Sequence, residues 1–375
     1  MKTVRDIEYF DGVKVLVRVD FNVPIKNEAV VDDFRIRAIL PTIDFLKIKG
    51  VKIILISHLE TIDGDNGSLE PVARYLNKLN CPVLFIKDWK SAPQIIDNQI
   101  KNGECVLLEN IRFFEGEKKN DPKFAKELAS LADIYVNEAF PVSHREHASI
   151  VGVPKLLPSY VGLQFEKEVK NISKAFNPTH PFVFILGGAK FSTKLPLIER
   201  FADVADTIFI GGALANDSLK ARGYNVGESK ISDGTIDISK IVSRLNIMLP
   251  VDVTIKDRSQ KNIKDIGAND CIVDVGARTL ELIQEKINQA KFLLWNGPLD
   301  SYEDGYVEGT EAVAKMIAEA TKKGAESIVG GGDTLAAIMN LAIEDKFTFV
   351  SSGGGAMLDF LATGTLPGID ALNSL

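Results

Sequence analysis

Short runs of β-branched and large apolar residues recur along the chain, each followed by a longer stretch in which apolar positions return at helical spacing. In the first half the runs cover residues 13–19, 51–56, 83–86, 105–108 and 134–136. In the second half they cover 182–186, 207–210, 272–275, 292–295, 327–329 and 347–351. The runs are apolar at both alternating positions, which suits strands covered on both faces. Helical patterns over 33–49, 122–132, 194–201 and 309–323 lie between them. This alternation predicts an α/β chain built on doubly wound, mainly parallel sheets. Pro154 and Pro158 interrupt the periodicity, a helical stretch follows over 159–175, and Asn177-Pro178 and His180-Pro181 interrupt it again. That stretch reads either as a rigid connector between two lobes or as one more surface helix of the first.

At 375 residues the chain is long enough for two lobes with separate cores. Hydrophobic residues make up 45% and charged residues 25%, so a disordered chain is excluded. The formal net charge of −7 argues against nucleic acid or an acidic membrane surface as partner, while leaving room for a small anion held by a local cluster of cations. Three scattered cysteines, Cys81, Cys105 and Cys271, form neither a disulfide framework nor a CxxC site. Residues 1–12 show no signal-like apolar run, and no stretch approaches the ~20 apolar residues of a membrane span. The cytoplasm is the expected compartment.

In parallel α/β sheets, ligands gather beyond the carboxyl ends of the strands, and here the two halves differ. In the first half those positions carry Arg18, Asp20 and Asn22, then His58, then Asn110 and Arg112, then Asn137, His144 and Arg145, while Arg35 and Arg37 open the first helix. One such arginine is ordinarily a solvated charge, but four strand ends with cations or amides predict a site for an oxyanion-rich small acid. In the second half they carry Gly187-Gly188, Gly211-Gly212, Gly276, Gly297, Gly330 to Gly332 and Gly353 to Gly355. One double glycine is ordinarily a turn. Clusters at this many strand ends predict backbone amides and helix N-termini brought close to a nucleotide or phosphate chain. No GxxxxGK[ST] loop or GxGxxG fingerprint is present, which disfavours a dinucleotide dehydrogenase. His144 and His147 lack the neighbours of a metal site.

These residues fall in long ordered motifs: VRVDFNVP at 17–24, DDFRIRA at 32–38, SHL at 57–59, LLENIRF at 107–113, GEKKNDP at 116–122 and SHREHAS at 143–149. GGAKFSTK at 187–194, WNGP at 295–298, GGGDT at 330–334, SSGGGAMLDF at 351–360 and LPG at 366–368 continue the series. In them the chain resembles the phosphoglycerate kinase family over nearly its full length. The resemblance implies an acid-binding lobe at 1–158, a connecting helix at 159–176, a nucleotide-binding lobe at 177–358, and a tail at 359–375 returning to the first lobe. It implies phosphoryl transfer between ATP and the carboxylate of 3-phosphoglycerate, with Mg2+ as cofactor and a monomer as the expected state. Two other readings stay open: a kinase of the same fold for a different small acid, and a non-catalytic nucleotide-binding protein.

By the same resemblance, Asp20 and Asn22 orient the acceptor, Arg35 sits near the transferred group, and His58, Arg112 and Arg145 hold the acceptor's anionic groups. Lys190 stabilises the phosphoryl in flight, Lys194 contacts the nucleotide phosphates, and Asp333 holds magnesium with Thr334 nearby. Ser352, Gly353, Gly354 and Gly355 present a helix N-terminus to the moving phosphate, beside Gly331 and Gly332. Asn296 and Glu303 face the nucleotide, and Gly211 and Gly212 floor the adenine pocket. The chain departs from the family where Glu60-Thr61-Ile62 replaces glycine, arginine and proline. Loss of that arginine removes a charge-assisted contact worth about 1.5–3 kcal/mol. Pro141-Val142, Ala213, Asp300 and Ser352 are further departures, the first expected to stiffen the loop that carries Arg145 and the next two either to tighten the nucleotide pocket or to make it tolerant of another base.

Overall fold

The computed structural model describes the whole chain apart from residues 9, 11, 62, 190, 233–237 and 374–375 and the side chain of Ser192. It divides into two compact units, residues 1–170 with 363–375, and residues 171–362. The boundary falls inside the helix Leu163–Ile172.

The first unit is built on a six-stranded parallel sheet. Its spatial order is Leu84–Ile86, Cys105–Leu108, Lys52–Ile56, Lys14–Val19, Ile134–Glu138 and Ser159–Val161. Lys14–Val19 pairs on one side with Lys52–Ile56 and on the other with Ile134–Glu138, and these strands are buried almost throughout. Chain order reverses at that central strand, so its carboxyl end opens into the crevice where such sheets bind ligands. Residues 159–161, expected at the start of a connecting helix, instead form an edge strand. Ser-Tyr-Val suits a pleated strand, Tyr160 stands opposite Val136, and Pro158 and Gly162 bound the segment. The helix begins only at Leu163, where Glu138 accepts the amide hydrogens of Gln164 and Phe165, each at 2.9 Å. Burial pushes the Glu138 carboxyl up to about 7.

The second unit carries a six-stranded parallel sheet whose strands, numbered within the sheet by chain order, lie as 3-2-1-4-5-6. The central pair is Phe182–Leu186 beside Phe292–Asn296, both fully buried. Phe182 meets Phe292 edge to face at 5.2 Å and Phe184 meets Phe201 at 5.5 Å. Ile272–Val275, expected among the parallel strands, belongs to a separate antiparallel sheet with Asp252–Ile255 and Gln260–Asn262. Its partner Asp252–Ile255 alternates half-buried and buried residues, the signature of a sheet covered on one face. Cys81 and Cys105 are buried, in keeping with small core residues. No helix among the described residues is long and apolar enough to cross a membrane.

Candidate functional site

Two clusters of functional side chains form, one in each unit. In the first unit they collect beyond the carboxyl end of Lys14–Val19. Asp20 is buried, and its carboxylate accepts from the Asn22 amide at 3.1 Å and from Arg35 Nη1 at 3.1 Å. Arg35 also donates to the Asn22 carbonyl at 3.0 Å, and the Asn22 side chain accepts from the Glu60 amide at 2.8 Å. These contacts hold the acidic, amide and guanidinium groups of two loops and one helix in a single arc.

His58 lies at the bottom of that arc, 1% exposed. Burial first, and then the charges of Arg18, Arg112, Arg145 and Arg35, hold its pKa well below the ordinary histidine range, so the ring is neutral at physiological pH. Arg18 Nη2 lies 3.2 Å from its Nδ1. A guanidinium can only donate, so Nδ1 accepts and the ring proton sits on Nε2. Arg18 is itself buried in the central strand, held by Ser149 Oγ at 2.9 Å, and Ser149 donates in turn to buried Glu117 at 2.6 Å. Burial pushes Glu117 up, against the pull of Arg18. Arg18 stands among the strand-end cations that the sequence marks, but its burial inside the sheet makes it a positioning residue for His58.

Arg112 follows Cys105–Leu108, its turn capped by the Asn110 side chain, which accepts the Arg112 amide at 3.0 Å. Its side chain is fully buried, and burial pushes it down to about 10 despite the Glu60 carboxylate against Nη1. Arg145, half-buried, makes no side-chain hydrogen bond or ion pair among the described residues. Its loop opens with a tight turn over Phe140–Val142 containing Pro141, and the Ser143 hydroxyl accepts from Asn137 at 3.1 Å and donates to the Ala139 carbonyl at 3.0 Å. The chain terminus braces the same loop, Gly368 donating to the Ser143 carbonyl at 2.9 Å. The structure thus brings Asp20, Asn22, Arg35, His58, Arg112 and Arg145 into one cationic cup. No group of three His, Cys, Asp or Glu side chains suited to a metal occurs among the described residues.

In the second unit, Gly211, Gly331 and Gly354 each precede a helix at the end of a parallel strand: Gly212–Ala221, Gly332–Asn340 and Gly355–Thr363. Helix N-termini favour anions, although here the Gly212, Leu214 and Ala356 amides already donate to the carbonyls of Leu299, Gly188 and Gly353. Closure of the cradle floor requires glycine at two positions. A Cβ on Gly187 would lie 2.0 Å from the Pro298 carbonyl oxygen, and one on Gly297, at φ +94°, would lie 2.4 Å from the Gly187 carbonyl oxygen. The floor encloses a cavity of about 210 Å³ lined by Gly187, Lys194, Asn296, Gly331, Gly332, Asp333, Gly354 and Gly355, among others. Lys194 is buried there with Nζ on the Asn296 side-chain oxygen, and burial pushes it down to about 8. Asp333 is half-buried on the first turn of its helix and makes no ion pair among the described residues. A second cavity, about 150 Å³, adjoins it and is lined by Gly212, Ala213, Pro298, Asp300, exposed Glu303 and Asp333, among others.

Four expected contacts lie one layer back. Gly211 is buried against Leu299. Thr334 is buried with its hydroxyl accepting the Gly297 amide at 3.0 Å, which braces the cradle floor. Gly353 and Ser352 are buried, and Gly353 donates to Ser351 Oγ at 3.0 Å. Lys190 and Ile62 lie outside the described residues. The departure at Asp300 has a structural cause: it accepts the Thr310 amide at 2.8 Å while Asp274 accepts the Gly309 amide at 2.9 Å, so both cap the helix Glu308–Lys322. Burial pushes Asp274 up to about 7 and Asp300 up to about 6, with mutual repulsion adding to the former.

The chain matches the family model for phosphoglycerate kinase over residues 4–364. It is 44% identical to a phosphoglycerate kinase of Dictyoglomus turgidum, covering 99% of this chain and 98% of that one, and 43% identical to one of Thermosipho africanus, covering 99% and 97%. Among solved structures it is similar to the phosphoglycerate kinase of Coxiella burnetii, with a TM-score of 0.85, 36% identity and coverage of 99% and 98%. The enzyme from Pyrococcus horikoshii gives a TM-score of 0.87 at 30% identity, covering 100% and 98%. With this likeness spanning both sheets and the motifs of both clusters, the chain belongs to the phosphoglycerate kinase family.

Proposed function

We propose that the cationic cup of the first unit holds 3-phosphoglycerate and the glycine-lined cradle of the second holds ATP or ADP with Mg2+. The chain is a phosphotransferase with a carboxyl group as acceptor, and its reaction is the reversible transfer of a phosphoryl group between ATP and 3-phosphoglycerate. A carboxylate nucleophile is already ionised at neutral pH, so no side chain has to take a proton from it. The remaining work is positioning and neutralisation of charge.

Asp20 and Asn22 orient the acceptor's hydroxyl and carboxyl end, and Arg35, held by both, lies near the transferred group. Neutral His58 offers Nε2–H as a donor without adding to the crowd of positive charge, while Arg112 and Arg145 meet the anionic groups with planar forks. In the cradle, Lys194 donates to the nucleotide phosphates, Asn296 holds its ammonium in place, and Glu303 faces the ribose. Gly354 and Gly355 turn the N-terminus of Gly355–Thr363 toward the moving phosphoryl, with Gly353 and Ser352 behind them. Lys190 serves as the point charge on that group. Asp333, a carboxylate on the cradle wall without an ion pair among the described residues, fits Mg2+, which is commonly held by one or two carboxylates and the substrate phosphates. When bound, the ion neutralises charge on the phosphate oxygens.

Convergence of Arg18, Arg35, Arg112 and Arg145 on His58 carries the assignment of the acid to the first unit. A steady-state assay with 3-phosphoglycerate and Mg-ATP tests it, with saturation expected in the micromolar-to-millimolar range. Turnover of a different small acid in its place would support the second reading. ADP binding by calorimetry without any turnover would leave a nucleotide-binding protein. We further propose a cytoplasmic monomer, checked by sedimentation, and a closing motion of the two lobes once both ligands bind, since the chemistry needs donor and acceptor together and water excluded. Small-angle scattering should then give a smaller radius of gyration with both ligands, and an unchanged radius would remove that part of the proposal.

A further inference from the structure

We infer that Glu60 is an internal competitor for the acceptor's phosphate: its carboxylate occupies Arg112 in the free enzyme and is exchanged for the phosphate of the incoming acid, so it helps to set both affinity and the demand for a phosphorylated substrate. This rests on the assignment of the acid to the first unit. The two members of the pair are unequal. The Arg112 side chain is fully buried, whereas 31% of the Glu60 side chain is exposed. The carboxylate is therefore the member able to swing into water, leaving the guanidinium where it is. Arg112 has no other ion-pair partner among the described residues, and its Nε and Nη2 make no hydrogen bond. A single carboxylate leaves part of this buried fork unmatched, and the three acceptor oxygens of a phosphate can meet more of it.

The loop around Glu60 is held by bonds that do not involve its carboxylate. Asn110 Nδ2 donates to the carbonyls of Leu59 and Gly67, at 2.7 Å each, Asn66 Nδ2 donates to the Arg112 carbonyl at 2.8 Å, and the Glu60 amide donates to Asn22. The side chain can leave while the loop stays. Lys118 Nζ stands 4.0 Å from the same carboxylate and is about half exposed. A phosphate that takes the place of Glu60 thus meets two cations, Arg112 and Lys118, in a chain where the family's additional arginine is Thr61. Phosphate carries about −1.5 to −2 against −1 for the carboxylate, so the exchange favours phosphorylated acids over their unphosphorylated counterparts.

The test is calorimetric binding of 3-phosphoglycerate and of inorganic phosphate to the full chain and to Glu60→Gln, alongside steady-state kinetics. Removing one charge-assisted competitor is expected to tighten both ligands about tenfold and to lower the KM for the acid by the same factor, with the KM for ATP unchanged. Glu60→Asp keeps the charge but withdraws it by one methylene, so it should show the same changes to a smaller extent. It also covers the case in which Glu60→Gln, with buried Arg112 left unpaired, does not fold. Unchanged or weakened phosphate binding in the folded variants overturns the inference. Tighter phosphate binding in a chain that does not turn over 3-phosphoglycerate would instead overturn the functional assignment and leave the exchange standing.

Discussion

The two clusters face anions by different physical means. In the first unit the cup is made of side chains, and its charges are kept apart and aimed by partners: Asp20 on Arg35, Ser149 on Arg18, Glu60 on Arg112. In the second unit the cradle is made largely of backbone, where three helix N-termini and crossed glycine turns leave room for little more than Lys194, Asn296 and Asp333. The first arrangement recognises a small acid by the number and placement of its charges. The second admits a phosphate chain by letting the main chain come close to it. The difference teaches that a charged site fails by losing a partner, and a backbone site by gaining an atom.

Four predictions test that contrast, taken from the largest effect to the smallest. Gly187→Ala should bring a methyl into the Pro298 carbonyl and open the cradle floor. Loss of nucleotide affinity of at least about a hundredfold, or roughly 2.7 kcal/mol, is expected by calorimetry, with a lower melting temperature. Gly332→Ala is its counterpart: the added Cβ meets no protein atom within 4 Å, so the melting temperature should stay close to wild type. If the two variants behave alike, the crossed-glycine account of the cradle is wrong.

In the cup, Arg112→Ala should raise the KM for the acid by about ten- to a hundredfold, as befits one charge-assisted contact, while the KM for ATP stays put. A parallel rise in both constants would contradict the division of labour.

The units should also titrate apart. Lys194 sits near 8 when free and binds phosphate as an ammonium, so nucleotide affinity should fall as pH rises above 8, by at most about tenfold per unit. Arg112 sits near 10, so its contribution to acid binding should persist to that pH. Stability moves the other way. Because the folded pKa of Lys194 lies below the unfolded value of 10.5, the unfolded chain binds more protons between 8 and 10.5, and this residue's contribution to the stability of the nucleotide-free protein rises with pH in that window. Lys194→Met should flatten both trends, read by calorimetry and by denaturant melts across pH. At the small end, Ser352→Thr keeps a hydroxyl one layer behind the cradle and should alter kcat/KM by less than about twofold. A large change would mean that this layer is as demanding as the glycines.

Much of this was legible beforehand, for identifiable reasons. Runs such as 182–186 and 292–295 are apolar on both faces, so a doubly covered parallel sheet was the reading they allowed, and the cations and glycines after them marked the ligand ends. The resemblance then supplied roles that residue types alone do not carry. Ile272–Val275 reads as a parallel strand because a short apolar run looks the same in either kind of sheet, and the alternation that betrays one-sided burial lies in its partner, Asp252–Ile255. Ser159–Val161 reads as the start of a helix from sequence because three residues hold less than one helical period. Asp300 read as a change in the nucleotide pocket. Its work with Asp274 on the amides of Gly309 and Thr310 joins positions 35 and 10 residues apart, which no local pattern reveals.

The order of apolar and polar positions, by itself, determined that this chain folds into covered parallel sheets with a cation-bearing half and a glycine-bearing half, because burial and backbone freedom are properties of residue type and spacing. Only the tertiary structure decided which charges meet. Arg18 became the hydrogen-bond partner of His58, Glu60 became the counter-ion of Arg112, and Thr334 became a brace for Gly297 rather than part of the cradle surface. Such pairings depend on distances of a few ångströms between segments far apart in the chain, and a hydrogen bond or ion pair is gained or lost over that scale.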